Sequence, residues 1–250
     1  MPAMTDTAPA EVAPGVFRLG TPLVNWYLVA DGDRLTAVDS GLPAWAKTLE
    51  ADLASLGFAA GDIEAVVLTH SDADHTGMAA KLRDAGARVL IHAADAPKLA
   101  EPGQKSGDAA PAKMLKLAWR PSFWRFMGAM ARAGGAKPAP VERAETFTDG
   151  ERLDVPGRPL VVHTPGHTAG HSALLFERRG ALFVGDELCT WNPITGERRP
   201  QRMPGPFNED NRAGVQSLGA LEKLDAEILL PGHGDPFRGS PAAAVRQARG

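Results

Sequence analysis

The heptapeptide Thr69-His70-Ser71-Asp72-Ala73-Asp74-His75 directly follows a short apolar run at residues 65–68. Four imidazole or carboxylate side chains fall within six residues of it. A loop at the end of a buried strand can turn alternate side chains toward one point, and a helix predicted from about His75 to Ala85 would then fix Asp74 and His75. Imidazole and carboxylate together suit zinc, manganese or iron. The alternative interpretation is a polar turn in which Asp72 or Asp74 caps the helix.

Three further elements place a histidine or aspartate just beyond an apolar strand, beside glycine or proline. They are Thr164-Pro165-Gly166-His167, Val184-Gly185-Asp186 and Leu230-Pro231-Gly232-His233. Side chains at the ends of different strands of one sheet can converge on one edge, which is how a metal site is assembled from a scattered sequence. The pattern predicts that one or two divalent metal ions are bound by His70, Asp72, Asp74, His75, His167, Asp186 and His233.

Around these motifs, apolar runs and turn residues predict an α/β fold. In the first half, up to about Val89, the order is β-β-β-α-β-α-β, which places helices against a sheet. The second half of the chain is likewise predicted to combine strands with helices. We predict that residues 1–14 form a disordered N-terminal arm and that residues 15–250 form a single domain.

Composition limits the classes of function. The chain has 250 residues, 44% of them apolar and 23% charged, with a net charge of −3, so no basic field indicates a nucleic-acid partner. No apolar run reaches the length of a membrane span, which argues against stable membrane insertion. The single cysteine, Cys189, excludes an intramolecular disulfide. With no signal-peptide pattern at the N-terminus, we expect a cytoplasmic protein; the sequence does not indicate its oligomeric state.

The whole set of motifs resembles the metallo-β-lactamase superfamily. The usual first motif of that family is His-x-His-x-Asp-His, followed by a lone His, a lone Asp and a last His. The resemblance runs from Val16 to about His233, and residues 25–28 and 38–41 are similar to the first hairpin of the family. It implies an αββα sandwich, two β-sheets with helices outside, carrying a helical insertion at about residues 101–144.

Carried over by position, the resemblance implies two metal sites that share Asp186. The first would comprise His70, Asp72, His167 and Asp186, and the second Asp74, His75, His233 and Asp186. Two divalent ions are implied, zinc first, with manganese or iron as alternatives. A metal-bound hydroxide would attack the substrate, with Asp74 and Asp186 as catalytic residues.

One ligand departs from the family pattern, because Asp72 stands where the second histidine is usual. A carboxylate there either makes the first site more anionic, which favours manganese or iron relative to zinc, or falls short of the metal. Two further side chains are candidates for supporting roles. Asp39 is expected to orient a ligand histidine. His171 resembles the second histidine of a Pro-Gly-His-Thr-x-Gly-His variant of the family, which implies that it supports the ligands or lines the pocket. The structural alternatives are a turn aspartate and a hydrogen-bonded histidine.

The insertion holds seven Lys or Arg against two acids between Glu101 and Lys137, together with many aromatic residues and methionines. Pro121 should divide it into two short helices. Its apolar side chains, Trp119 and Trp124 among them, could cover the metal site and contact an apolar substrate. Its basic residues could instead attract an anionic substrate. The alternative is that these helices simply pack inward.

The resemblance favours the glyoxalase II and lactonase side of the family. We therefore predict a metal-dependent hydrolase that cleaves an ester, thioester or lactone bond of a small molecule. One alternative is an oxidoreductase similar to the persulfide dioxygenases, which hold a single iron by two histidines and an aspartate, here His70, His167 and Asp186. Another is a non-catalytic ligand-binding protein with a degenerate site, which Asp72 alone would support.

Overall fold

A computed structural model describes residues 8–101, 114–135 and 139–249, and it contains two β-sheets. The strands of the first sheet are β1 (Ala10–Ala13), β2 (Val16–Thr21), β3 (Val24–Asp31), β4 (Arg34–Val38), β5 (Ile63–Val67), β6 (Arg88–His92) and β7 (Glu145–Phe147). They neighbour one another in chain order. Pairing is antiparallel from β1 to β4 and parallel from β4 to β7.

The second sheet comes from the second half of the chain. Its strands are β8 (Leu160–His163), β9 (Ser172–Phe176), β10 (Ala181–Gly185), β11 (Ile228–Pro231) and β12 (Phe237–Arg238). Their order across the sheet is β12-β11-β10-β9-β8, in which only β10 and β11 are parallel. The carboxyl ends of these two neighbouring strands therefore meet at one edge of the sheet.

The helices pack against the outer face of each sheet or, in one case, against a loop. They are α1 (Leu49–Ser55), α2 (Ala79–Asp84), α3 (Ala96–Ala100), α4 (Pro121–Arg132), α5 (Asn211–Leu221) and α6 (Pro241–Arg249). Helices α1 to α3 pack against the first sheet, since Leu53, Leu82 and Leu99 belong to the same buried cluster as Val66 of β5. Helices α5 and α6 pack against the second sheet through Leu218 and Val245.

The core between the sheets follows from side-chain alternation along the strands. In β3, Tyr27 and Val29 belong to the cluster between the sheets, whereas Trp26 and Leu28 belong to the cluster under the helices. A strand that is covered on both faces is apolar at successive positions. The structure therefore confirms the predicted αββα sandwich.

The N-terminal arm predicted to be disordered over residues 1–14 needs a correction. Residues 1–7 lie outside the described residues, but Ala10–Ala13 form β1 and pair with β2. The strand is short and mostly exposed, so its apolar pattern is weak, and backbone pairing to the edge of the sheet creates it. Within the described ranges, none of the helices is long and apolar enough to cross a membrane.

Part of the predicted insertion is also described. Residues 102–113 and 136–138 of it lie outside the described residues. The rest contains a short 3-10 helix at Leu115–Leu117 and then α4. Helix α4 begins at Pro121, as expected for a residue that lacks an amide hydrogen and suits the first turn. Phe123, Phe126 and Met130 on its buried face pack against the loop that contains Trp191 and Phe207.

Candidate metal centre

The ends of β5, β10 and β11 and the β8–β9 connection come together at one edge of the sandwich. Backbone hydrogen bonds join these segments directly. The amide of Ser172 donates to the carbonyl of Thr69 over 2.9 Å, and the amide of Gly232 donates to the carbonyl of Gly185 over 2.9 Å. The first of these bonds links the two sheets, so both halves of the chain build this edge.

Two glycines allow the segments to approach so closely. A Cβ atom at Gly232 would lie 2.2 Å from Oδ1 of Asp186 and 2.5 Å from Cε1 of His75. Gly185 has φ of +49°, a left-handed conformation that costs little only for glycine. These two positions explain why glycine precedes both Asp186 and His233.

All seven predicted ligands meet at this edge in three overlapping groups. Within each group the candidate ligand atoms lie within 4.8 Å of one another. The groups are His70, Asp72 and His167; Asp74, His75 and His233; and His70, His75 and Asp186. The structure therefore brings together every side chain that the motifs singled out.

Asp186 lies between the first two groups. Its Oδ2 atom is 3.6 Å from Nε2 of His167 and 3.0 Å from Nε2 of His233, and its Oδ1 atom is 3.4 Å from Nε2 of His75. Asp72, the departure from the family motif, places Oδ2 3.2 Å from Nε2 of His167. Its carboxylate thus reaches the first group despite being shorter than an imidazole.

A chain of hydrogen bonds orients His75 and His70. Nδ1 of His75 donates to Oδ2 of Asp39 over 2.9 Å. Asp39 also accepts hydrogen bonds from the amide and hydroxyl of Thr69, so the Thr69 oxygen is left to accept the proton on Nδ1 of His70 at 2.9 Å. Asp39 adopts φ of +60°, a conformation uncommon for residues other than glycine. The geometry thus gives Asp39 the orienting contact that we predicted.

The other two ligand rings are held in the same way by different partners. Nδ1 of His167 lies 3.1 Å from Oδ1 of Asn208, and Nδ1 of His233 donates to the carbonyl oxygen of Leu23. In all four rings, therefore, Nδ1 is engaged by a neighbour and Nε2 faces the shared centre. This is the arrangement by which proteins fix the tautomer of a metal-ligating histidine.

Three atoms at the centre show that these residues fit a metal. Nε2 of His70, Nε2 of His75 and Oδ1 of Asp186 are buried, and none has a hydrogen-bond partner among the described residues. An unsatisfied buried polar group is costly, and a cation bound to these atoms would remove that cost. Nitrogen and carboxylate oxygen are also the ligands that zinc and its neighbours prefer.

The electrostatics favour a cation at the same place. Burial lowers the pKa of His70 well below its usual value, so this ring is neutral and able to ligate. Burial also opposes a charge on His75, but the carboxylates of Asp186, Asp74 and Asp39 outweigh it and raise the pKa of His75 to about 10. The negative potential that favours a proton on this ring equally favours a divalent cation. Metal binding should therefore displace a proton.

His171 lies beside the centre but does not line it. Its Nε2 atom accepts the amide hydrogen of Asp186 over 3.1 Å, so its ring proton is on Nδ1, 2.9 Å from Oγ1 of Thr164. Burial lowers the pKa of His171 to about 3, and the ring is neutral. Of its two predicted places, supporting the ligands and lining the pocket, the contacts fit the supporting one, through the backbone of Asp186.

Asp95 was not among the predicted site residues, yet it clamps the two main ligand loops together. Its fully buried carboxylate accepts hydrogen bonds from the amide of Ser71 at 3.1 Å, the hydroxyl of Thr168 at 2.6 Å and the amide of Gly170 at 2.9 Å. Ser71 lies in the first motif, and the other two residues follow His167. Nothing local marks Asp95, because its partners are distant in the sequence; the same holds for Asn208.

A cavity of about 160 Å³ opens on the centre. Its polar wall consists of Asp72, Asp74, His167, Asp186 and His233, and its apolar wall is formed mainly by Met114, Phe126, Met127, Met130, Met203 and Phe207. The predicted insertion therefore does contribute to the wall of the cavity.

The two tryptophans predicted to line the pocket do not line it. Trp119 is 72% exposed and Trp124 59% exposed, and neither is among the described residues around the cavity. Arg120 lies over the ring of Trp119, and the indole of Trp124 donates to the carbonyl of Ala118. For Trp124 the reason is helical phase, because Phe123 points inward and the next position of α4 is rotated by about 100° away from it. Trp119 lies before the first residue of α4.

A two-sheet sandwich with helices outside and with histidines and aspartates gathered at one edge defines a protein with a candidate metal centre. The sequence model of the metallo-beta-lactamase superfamily matches residues 19–233. The chain belongs to this superfamily.

Several known proteins are similar to the chain. A "Probable metallo-hydrolase YqjP" of Bacillus subtilis (strain 168) is 30% identical over 93% of this chain and 73% of its own length. A "Thioesterase pkgB" of Emericella nidulans is 27% identical over 89% of this chain but only 49% of its own length. The crystal structure of the metallo-beta-lactamase family protein TTHA1429 from Thermus thermophilus superimposes with a TM-score of 0.67, at 25% identity, over 94% of this chain and 78% of that one.

Proposed function

We propose that the protein is a metal-dependent hydrolase that cleaves a carboxylic ester, thioester or lactone bond of a small molecule. The observation that carries this proposal is the position of the cavity. It has candidate metal ligands on one wall and uncharged apolar side chains on the other. A site that joins a few convergent polar groups to apolar walls is typical of small-molecule binding.

The ligand set supports two divalent cations. His70, Asp72 and His167 form one triad, Asp74, His75 and His233 form another, and the Asp186 carboxylate lies close to both. Three protein ligands with open positions are usual for a catalytic zinc. We propose zinc at both sites, with manganese or iron as alternatives because Asp72 adds a hard oxygen ligand.

When bound, such cations lower the pKa of coordinated water and polarise a carbonyl group. The residues of this chain would then orient the ligand histidines and transfer protons. Asp39 and Thr69 keep His75 and His70 facing the centre. Asp74, whose side chain is 17% exposed and lines the cavity, can accept a proton from water and return it to the leaving group.

The proposed reaction balances without a further reactant. A bond forms between the oxygen of water and the acyl carbon, and the bond from that carbon to sulfur or oxygen breaks. One proton of water ends on the leaving thiol or alcohol, and the other leaves with the carboxylic acid product. The thioesterase name of one relative supports this reaction class.

The oxidoreductase alternative receives less support from the geometry. A single iron of the persulfide dioxygenase kind requires two histidines and one carboxylate. Here Asp72, Asp74, His75 and His233 converge on the same centre in addition to His70, His167 and Asp186. The additional ligands favour a dinuclear hydrolase, and they also argue against a degenerate, non-catalytic site.

The test is reconstitution. Protein stripped with a chelator and reloaded with Zn²⁺, Mn²⁺ or Fe²⁺ is assayed for release of p-nitrophenol from a butyryl ester and of thiol from a butyryl thioester. We expect about two metal ions per chain and hydrolysis that depends on them. His167→Ala should abolish hydrolysis and lower the metal content to about one ion per chain, whereas the matched His163→Ala, outside the ligand groups, should retain both ions and the activity. Oxygen uptake with a persulfide, and no hydrolysis with any metal, would overturn the proposal.

A further inference from the structure

The apolar wall of the cavity is rich in methionine. Four of the seven methionines of the chain, Met114, Met127, Met130 and Met203, line this one cavity. Methionine is flexible and polarisable, so a wall of methionines adapts to irregular apolar shapes. Among the described residues around the cavity there is no lysine or arginine.

Rigid contacts hold this wall directly beside the ligand histidines. The ring of Phe126 lies edge-to-face with Phe207 at 5.9 Å and with the candidate ligand His233 at 6.2 Å. The hydroxyl of Ser122 donates to the carbonyl of Ile194 over 2.6 Å, which ties the first turn of α4 to the facing loop. The helix is thus a fixed wall, and a group bound against it would place its first carbons next to the metal centre.

From this arrangement we infer that the cavity binds the acyl side of the substrate, and that the acyl group is apolar, uncharged and about as large as a six-carbon chain. This inference rests on the proposed hydrolase function. A cavity of about 150 Å³ lined by apolar side chains holds one benzene molecule, and the cavity here measures about 160 Å³. Because part of this volume lies against the candidate metal ligands, a short acyl chain or a single ring is the largest group that it would enclose.

The lack of a basic side chain among the described residues around the cavity should make the site select against acyl groups that carry a carboxylate. A carboxylate at the far end of the acyl group would be buried among methionine and phenylalanine side chains. Burying a charge without a partner is strongly unfavourable. The basic residues of α4 do not offer one, because Arg125 and Arg132 are exposed and neither is among the described residues around the cavity. Among residues 8–101, 114–135 and 139–249, no basic side chain therefore pairs with a carboxylate in the cavity, which disfavours the anionic acyl group that the charge of the insertion had suggested.

The experiment compares kcat/KM for thioesters of one thiol with acetyl, butyryl, hexanoyl, decanoyl and succinyl groups. Each methylene that enters the cavity should raise kcat/KM about three- to fourfold up to about six carbons, and longer chains should gain nothing further. Butyryl should exceed succinyl, which has the same number of carbons, by at least about 30-fold.

Met127 is the position at which to change the wall, because it lines the cavity yet is only partly buried. Met127→Ala should move the optimum toward the decanoyl group, and Met127→Lys should raise the ratio of succinyl to butyryl hydrolysis about tenfold or more. Trp124→Ala, an exposed aromatic on the same helix, is the control and should keep the profile of the unaltered protein. Metal content, measured for every variant, should stay unchanged.

The outcomes separate this inference from the proposed function. Hydrolysis with one flat profile, shared by the unaltered protein, Met127→Ala and Trp124→Ala, would overturn the acyl assignment and leave the hydrolase standing. A preference for succinyl over butyryl would also overturn it. Absence of metal-dependent hydrolysis for every thioester, and for the matching esters, would instead remove the proposed function itself.

Discussion

Asp95 should be as important for stability as any residue outside the core, although it touches none of the candidate ligands. Its carboxylate accepts hydrogen bonds from Ser71, Thr168 and Gly170, and it is fully buried. Asp95→Ala would leave the amides of Ser71 and Gly170 buried without an acceptor. Each such donor costs about 1–3 kcal/mol, and the hydroxyl of Thr168 can rotate to limit its share.

The expected loss in the free energy of unfolding for Asp95→Ala is therefore roughly 3–5 kcal/mol. That is a large part of the about 5–15 kcal/mol that usually stabilises a domain. Asp95→Asn keeps the shape and one acceptor oxygen but presents an NH2 group to a donor, so we expect roughly half of that loss, about 2 kcal/mol.

Urea denaturation of metal-free protein measures this effect separately from metal binding. The control is Asp84→Ala, which removes an exposed carboxylate bonded to Arg83 and should change stability by no more than about 0.5 kcal/mol. Metal titration of the same variants should show weaker binding for Asp95→Ala, since the loops that carry His70 and His167 lose their link. Equal stability of Asp95→Ala and Asp84→Ala would refute the clamp.

Three further predictions concern the centre itself. Asp186→Ala should lose far more hydrolysis than His171→Ala, for which a loss of about 10–100-fold is expected because it acts through the Asp186 backbone; equal losses in kinetics would contradict this. Asp39→Ala should weaken metal binding by about 10–100-fold, since His75 loses the acceptor that orients it, and calorimetric titration that shows no change would exclude that role. Asp72→His should keep or raise zinc affinity, and a collapse of that affinity would show that the carboxylate is required.

The candidate ligands could be predicted from the sequence because each lies just beyond an apolar strand. A strand buried on both faces can be recognised from its composition alone, and the residues after its carboxyl end lie at the edge of a sheet. We could therefore predict that four side chains meet at one edge of the sandwich: His70, His167, Asp186 and His233. The supporting residues Asp95 and Asn208 gave no such signal, because the hydrogen bonds that define them join segments far apart in the chain.

The residues that form the wall of the cavity could be predicted from the sequence only in part. The insertion could be assigned to the cavity by its apolar content, but the individual side chains depended on where α4 begins. Once Pro121 is its first residue, Phe123, Phe126, Met127 and Met130 fall at the i, i+3, i+4 and i+7 positions of one face. That stripe is present in the sequence, whereas Trp124 lies on the outward side of the same helix and Trp119 precedes its first residue.

The aspartate at position 72 has a consequence for the charge of the proposed centre. Asp72, Asp74 and Asp186 carry three negative charges, whereas the usual motif would supply two. With two divalent cations the centre would keep a net charge of about +1 rather than about +2, and the charge of the ions dominates such a site. A less positive centre lowers the pKa of water less but binds hard, oxygen-preferring cations more readily. Asp72→His should therefore raise hydrolysis near neutral pH with zinc and lower the preference for manganese. If zinc and manganese respond alike, the carboxylate acts as a ligand of suitable reach and its charge does not tune the metal.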